Sequence, residues 1–292
     1  MSERTIPGAE STRGAWRSAL RTARHPRAVY WLTTTASVTA VVVLWWLLTT
    51  LLDVNPVLFP SPADVWEAAV RGMQERPVAD GLDRTIRGYQ NYYLWEHLLA
   101  SLQRIGAGVG LALLVGVPLG LLMASFRWFG LLLDPYLNFL RSLPPLAYIG
   151  LLIVWFGFGD APKIWLLFLA AFPPIAIASI SGVRGVREDQ INAVRTLGAS
   201  RGQVLVHVTL PAALPEIVTG FRVAVGFAWT TVVAAEIQNG IPGIGGLAYI
   251  SGSQNQTAVV IACIIIIGIT AILLDQLVKT VEKVLIPWRG KA

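Results

Sequence analysis

Residues 105–126 read IGAGVGLALLVGVPLGLLMASF, 22 residues without a charge. About 20 apolar residues cross the hydrocarbon core of a bilayer. No water reaches a backbone there, so the segment must satisfy its own N–H and C=O groups and is expected to be a helix. Comparable runs lie on either side. Residues 29–52 hold 24 without a charge, residues 142–159 hold 18, and residues 164–183 hold 20. Residues 217–237 are interrupted only by Arg222, and residues 258–277 surround the block Ile264-Ile265-Ile266-Ile267. The expectation is an all-α polytopic membrane bundle of about six spans, with five the nearest alternative.

Composition agrees. The 292 residues are 54% hydrophobic and 14% charged, with mean hydropathy +0.60, whereas soluble domains carry about 25% charged residues. One cysteine, Cys263, and three scattered histidines, His25, His97 and His207, leave no disulfide framework and no His/Cys metal cluster. The first apolar run is longer than the h-region of a secretory signal and ends in Leu51-Leu52-Asp53 rather than a small-residue cleavage site, so it reads as a retained anchor.

The net charge of +6 is a topology signal. With the N-terminal arginines in the cytoplasm and six spans, 15 of the 23 basic residues fall on the cytoplasmic side. That matches the positive-inside rule and leaves no need for nucleic acid. The expected organisation is a basic cytoplasmic tail over 1–27, a first span over 28–52 and an outer loop over 53–96. A core over 97–286 follows, containing the cytoplasmic loop 188–215, and a cytoplasmic tail over 287–292 closes the chain. Within the outer loop, Ser61-Pro62-Ala63-Asp64 predicts a short surface helix, with a capping Ser, Pro at the first helical position and an acid in the first turn.

Several features bear on function. Gly106/Gly110 and Gly116/Gly120 sit four apart, the spacing that lets membrane helices approach closely. The double prolines Pro144-Pro145 and Pro173-Pro174 remove backbone donors and read as breaks or kinks, with residues 129–140 running along the cytoplasmic boundary. The glycine-rich stretch 240–246 belongs at a rim or around a cavity. None of the four lysines completes a GxxxxGK[ST] phosphate loop, so this chain is not expected to bind ATP itself.

Loop 188–215 is the most informative segment. Ile191, Val194 and Leu197 form an apolar stripe ending at Gly198, and Ser200 with Gln203 forms a capping box that opens a second helix, expected to stop at Leu210-Pro211. A DNA-reading helix-turn-helix sits in a soluble three-helix core, and here both flanks are membrane spans. A passive connector and a docking element for a cytoplasmic partner remain, and the exposed turn favours docking.

These residues resemble a known family. Asn192-Ala193-Val194-Arg195-Thr196-Leu197-Gly198, nine residues, then Val208-Thr209-Leu210-Pro211, is similar to the EAA loop of binding-protein-dependent ATP-binding cassette (ABC) importer permeases, whose pattern is Glu-Ala-Ala, three residues, Gly, nine residues, Ile-x-Leu-Pro. Asn192 and Val194 depart from that pattern, and Asn192 lacks the carboxylate the family prefers. The run 94–105, the segments Arg141-Ser142-Leu143-Pro144-Pro145 and Trp155-Phe156-Gly157-Phe158-Gly159, and Pro287-Trp288-Arg289-Gly290 resemble the taurine, alkanesulfonate and nitrate group, nearest to its taurine permeases.

The resemblance implies a MetI-like permease fold in the inner membrane, working as two copies with two cytoplasmic ATPase subunits that hold ATP and Mg. An external solute-binding protein would deliver taurine, a related sulfonate, nitrate or another small organic anion. It implies that Asn192, Ala193, Val194, Leu197, Gly198, Ala199, Ser200, Val208, Leu210 and Pro211 dock the ATPase. For an anionic or zwitterionic substrate the path candidates are Arg104, Arg141, Arg222 and Glu236, with helix-end snorkelling the alternative for the arginines and an interfacial position for Glu236, Asp160 and Asp275. An integral membrane enzyme or a passive channel are the readings from other classes.

Overall fold

A computed structural model describes residues 26–52, 55–77, 85–238 and 240–288. The basic tail 1–27 and the closing tail therefore lie largely outside the described residues. The chain forms two compact units, one ending at Pro62 and one beginning at Ala63.

The first unit holds α1 (Pro26–Leu51). Its threonines solve a membrane problem locally. Thr33, Thr35, Thr49 and Thr50 each return the hydroxyl to the carbonyl four residues back, so these four hydroxyls are paired within the helix. Trp45 donates its indole N–H to the carbonyl of Pro60 at 3.1 Å and lies against Phe59.

The second unit takes up the chain within the first turn of α2 (Pro62–Arg71), the expected short helix. A two-stranded antiparallel ribbon follows, β1 (Glu75–Pro77) against β2 (Thr85–Arg87), which the sequence did not suggest. Tyr89 donates to the carbonyl of Ala68, tying α2 to the segment after the ribbon, and burial pushes its phenol above the usual range.

The core is built from three long helices: α3 (Leu94–Ser125), α6 (Ala161–Arg184) and α9 (Leu210–Glu236). The central α6 packs on both neighbours through small residues. A Cβ placed on Gly120 would lie 2.5 Å from Ser179 Cβ and 2.7 Å from the Ala176 carbonyl, and Gly220 meets Ala178 in the same way. Close backbone approach is the usual basis of helix association in lipid, where there is no hydrophobic drive between helices. The pair Gly106/Gly110 faces nothing within 4 Å, and Gly108 between them is the residue that meets α6. Pro173 and Pro174 leave α6 as one continuous helix rather than a broken one.

Between α3 and α6 lie α4 (Arg127–Ser142), a 3₁₀ turn (Pro145–Tyr148) and α5 (Ile149–Phe156). The break at Leu143-Pro144 turns the chain by 97°. The twelve residues after it cover only about 20 Å as helix, short of a ~30 Å hydrocarbon core. Among the described residues five helices are thus long and apolar enough to cross a membrane, and a sixth crossing requires the bent pair to act as one. The stretch 129–159 is thus divided at the prolines, as expected, with only the short α5 following the break.

A last pair, α10 (Ile244–Ser253) and α11 (Thr257–Leu285), completes the bundle. Between α6 and α9 lie α7 (Glu188–Thr196) and α8 (Arg201–Val204). Gly120→Val should force α3 and α6 apart and cost roughly 1–3 kcal/mol, whereas Gly106→Val should be tolerated; detergent melting curves of the two variants decide it, and equal stability would refute this packing.

Candidate functional site

The two ends of α9 carry different chemistry. At its N-terminal end the chain leaves α7 through Leu197 and Gly198. Gly198 adopts φ +87°, a left-handed turn that a side chain strains, and its N–H donates to the Arg195 carbonyl at 2.9 Å. Ser200 then caps α8. Its N–H donates to Gln203 Oε1 at 2.8 Å and its hydroxyl accepts from the Gln203 N–H, closing the expected capping box.

α8 does not stop at Leu210-Pro211. It runs through a π turn, Leu205–Thr209, directly into α9. Proline lacks the N–H and its ring clashes with the carbonyl four residues back. Here Leu210 donates to Leu205, five residues back, and the wider turn lets Pro211 enter without breaking the helix.

Of the ten residues expected to dock a partner, Val194, Ala199 and Val208 line one groove of about 290 Å³ with Gln203, Val204 and His207. Leu197 is 86% exposed at the tip. Asn192, Ala193, Gly198 and Ser200 are exposed as well, while Leu210 and Pro211 are half-buried in the first turn of α9.

At the other end of α9, Glu236 is completely buried. Glu236 does lie at the end of α9, as expected, but it is enclosed by protein. Its carboxylate receives Arg104 Nη1 at 2.6 Å, the Ser101 hydroxyl at 2.7 Å and the Gly245 N–H at 2.9 Å. Arg104 also donates Nη2 to the Pro242 carbonyl and Nε to Asp160, each at 2.8 Å. Asp160 Oδ1 lies 3.6 Å from Lys163 Nζ. His97 and Ser101 complete the cluster: His97 Nδ1 accepts from the Gly243 N–H at 3.1 Å, and the Ser101 oxygen accepts from the Ile244 N–H at 3.0 Å. Nε2 faces the Tyr89 carbonyl at 3.1 Å, which can only accept, so in the neutral ring the proton sits on Nε2 and leaves Nδ1 as the acceptor, although Nδ1 also lies 3.2 Å from the Gly243 carbonyl.

The local sequence explains the assembly. His97, Ser101 and Arg104 fall on one face of α3 at i, i+4 and i+7. The glycine-rich stretch that follows α9 must come close to meet them. A Cβ on Gly243 would sit 2.7 Å from Glu236 Cδ and 2.8 Å from Arg104 Nη1. Two cations, Arg104 and Lys163, stand against two anions, Asp160 and Glu236, so the cluster is formally neutral. It borders a cavity of about 550 Å³ lined also by Gln103, Gly159 and Pro242.

The other proposed path residues separate. Arg141 is exposed at the end of α4. Arg222 pairs with Asp275 at 3.1 Å and Glu282 at 3.7 Å, away from the Arg104 cluster. Asp275 is half-exposed and is held by Arg222 and Lys279. Sequence reasoning missed His97, Ser101 and Lys163, although the polar stripe on α3 was there to read. Among the described residues no group of three or more His, Cys, Asp or Glu is arranged to hold a metal.

A bundle of membrane helices with a rigid, exposed helix pair at one end and a buried polar cluster beside a cavity at the other has the build of a transport permease. Comparison with known proteins gives the family. The family described as binding-protein-dependent transport system inner membrane component matches residues 116–286, and the chain belongs to it. It is 39% identical over 244 residues to the taurine transport system permease protein of Escherichia coli (strain K12), covering 83% of this chain and 84% of that one. It is 36% identical over 198 residues to a bicarbonate transport system permease protein of Synechococcus elongatus, covering 68% of this chain and 71% of that one. It is 37% identical over 197 residues to a putative aliphatic sulfonates transport permease protein of Bacillus subtilis, with the same two coverages. Its fold is similar to a chain of the methionine ABC transporter MetNI in inward-facing conformations, with TM-score 0.55, 21% identity, and 66% and 95% of the two chains covered. The chain is therefore a multi-pass permease subunit of an ABC importer of the inner membrane, not an enzyme.

Removing one partner of a buried ion pair leaves the other charge uncompensated, at a cost of about 3–5 kcal/mol. Glu236→Ala should lose stability on that scale, and adding Arg104→Met should restore much of it; non-recovery in the double variant's melting curve would argue against the pair as the cause.

Proposed function

We propose that this permease imports taurine or a closely related sulfonate, working as a homodimer with two cytoplasmic ATPase subunits and an external solute-binding protein. Both termini and loop 188–215 face the cytoplasm, in keeping with the distribution of arginine. ATP and its Mg are held by the ATPase. Affinity resides chiefly in the binding protein, so the path itself need only be weakly selective.

The observation that carries the docking role is Leu197, a large apolar side chain 86% exposed at the tip of a turn fixed by Gly198 and capped by Ser200. An exposed apolar side chain on a rigid turn is suited to a cleft on another protein. The groove between Val194 and Val208 offers the same partner a second purchase. Asn192 cannot form the ion pair of a glutamate at that position, so the contact rests more on shape than on charge.

The substrate assignment is supported by the extent of the likeness to the taurine permease, 83% of this chain against 68% for the bicarbonate and aliphatic sulfonate relatives. Bicarbonate is the second reading, since the identity to that relative is nearly as high. Nitrate belongs to the same range of small anions.

Leu197→Asp replaces an exposed side chain, so insertion and melting should hardly change, while co-purification of the ATPase and uptake should be lost. Full ATPase recovery with Leu197→Asp would refute the docking assignment. Taurine uptake by proteoliposomes carrying the complete complex tests the substrate, and uptake of bicarbonate without taurine would move the assignment to the second reading.

A further inference from the structure

The charge-free runs of α3 and α6 end on the walls of one cavity. Residues 105–126 stop at Arg127 and residues 164–183 stop at Arg184, so each arginine is the first charge after a membrane-length apolar run. That position puts both guanidiniums at the depth of the lipid headgroups. The cavity holds about 590 Å³ at the elbow where α3 gives way to α4, and both arginines line it. A Cβ on Gly130 would sit 2.9 Å from the Met123 carbonyl and 3.7 Å from Arg184 Nη2, so a larger residue there would crowd the arginine.

Neither of these arginine side chains has a hydrogen bond or an ion pair among the described residues. Deeper in the same two helices the cations are occupied, Arg104 by Glu236 and Asp160, and Lys163 by Asp160. Asp134 also lines the cavity; it accepts from Asn138 of its own helix at 3.1 Å and pairs with no cation among the described residues. Two cations and one anion leave a surplus of one positive charge. A phosphodiester supplies one negative charge, with oxygens that two guanidiniums can share. A zwitterionic headgroup would leave the surplus uncancelled.

The walls distinguish an amphiphile from a water-soluble anion. Met123, Leu131 and Pro135 give the cavity an apolar side beside the charged one. Leu131 is exposed, and next to it on α4 stand the exposed Trp128 and Phe129, aromatic side chains of the kind that mark a membrane boundary. An acidic protein surface would use the arginines but not an apolar wall at this depth. Basic pockets between membrane helices are a recurring form of lipid site. We infer that this cavity binds the headgroup of an anionic phospholipid, with Arg127 and Arg184 on its phosphate and the start of an acyl chain against Leu131 and Pro135. Arg184 ends α6, and α7 with its exposed turn begins four residues later, so the lipid would brace α4 against α6 just ahead of that turn.

The test uses the permease–ATPase complex, delipidated in mild detergent and titrated with dioleoyl phosphatidylglycerol or dioleoyl phosphatidylethanolamine, with and without inorganic phosphate. Bound lipid per permease is counted by native mass spectrometry for the wild type, Arg127→Gln, Arg184→Gln and Lys283→Gln. Lys283, in the last turn of α11 and outside the cavity, is the control for general charge attraction. Assembly is checked by size-exclusion chromatography, and either arginine variant decides if the other fails to assemble. Should neither assemble, the lipid preference of the wild type and the phosphate competition decide alone.

The wild type should hold phosphatidylglycerol at least about tenfold more tightly than phosphatidylethanolamine. Each arginine substitution should weaken that binding about tenfold, the usual loss for a hydrogen bond to a charged group, and Lys283→Gln should not. Equal binding of the two lipids would overturn the inference. So would three variants that all bind as the wild type does, or that all lose equally, the result for a nonspecific lipid shell. Displacement of the lipid by inorganic phosphate would make this a free-anion site. Loss of the ATPase from the arginine variants with phosphatidylglycerol still bound would make the arginines a protein-docking surface and overturn the lipid site as well.

Discussion

The ion pair between Arg104 and Glu236 is the constraint around which one end of the bundle is organised. A guanidinium and a carboxylate are tolerated so deep in an apolar protein only when every remaining lone pair and N–H finds a partner. That requirement recruits Ser101, the Gly245 amide, the Pro242 carbonyl and Asp160. The recruits come from three pieces of chain. The pair thus fixes α3 against α9, holds the 240–246 stretch between them, and touches the start of α6. Glycine at 243 and 245 follows from this arrangement, since a side chain at Gly243 would overlap the charged groups themselves. A neutral cluster of this kind positions helices without adding net charge beside the adjoining cavity.

Most of the architecture could be read because membrane helices announce themselves by length. The runs at 29–52, 105–126, 164–183 and 258–277 all became helices, and each extends beyond its apolar run because helix continues where lipid ends: α3 starts at Leu94 and α11 ends at Leu285. The capping box at Ser200 and the short helix at Pro62 were legible for a different reason, since their signals are local hydrogen bonds. What escaped depends on distance. Glu236 lies 132 residues from Arg104, and nothing in either neighbourhood names the other. The ribbon at Glu75–Pro77 and Thr85–Arg87 has three-residue strands, one holding a proline and neither showing apolar alternation. Leu210-Pro211 reads as a stop because proline ends most helices, and only the π turn before it makes the continuation possible.

That continuation bears directly on how a permease of this kind can be driven. From Arg201 to Glu236 the chain is helical without a break. At 1.5 Å per residue its 36 residues reach about 50 Å. The exposed turn at Leu197–Gly198 sits just before one end, and the Arg104 ion pair grips the other. A rigid-body displacement applied at the turn therefore need not be relayed through loops. It is delivered along one element, which is the condition for switching between discrete arrangements rather than deforming gradually. The π turn is the one place along this lever where backbone hydrogen bonding changes register, and so the natural site for any bend.

The same lever passes Arg222 on its way, which faces α11 through Asp275 and Glu282, so a rotation of α9 would strain those ion pairs. At the far end the resistance is concentrated in Glu236, whose three donors come from α3 and from the start of α10. A helix held so tightly at one end and so exposed at the other can move only if work is done at the exposed end. In an ABC importer that work comes from an ATP-hydrolysing subunit.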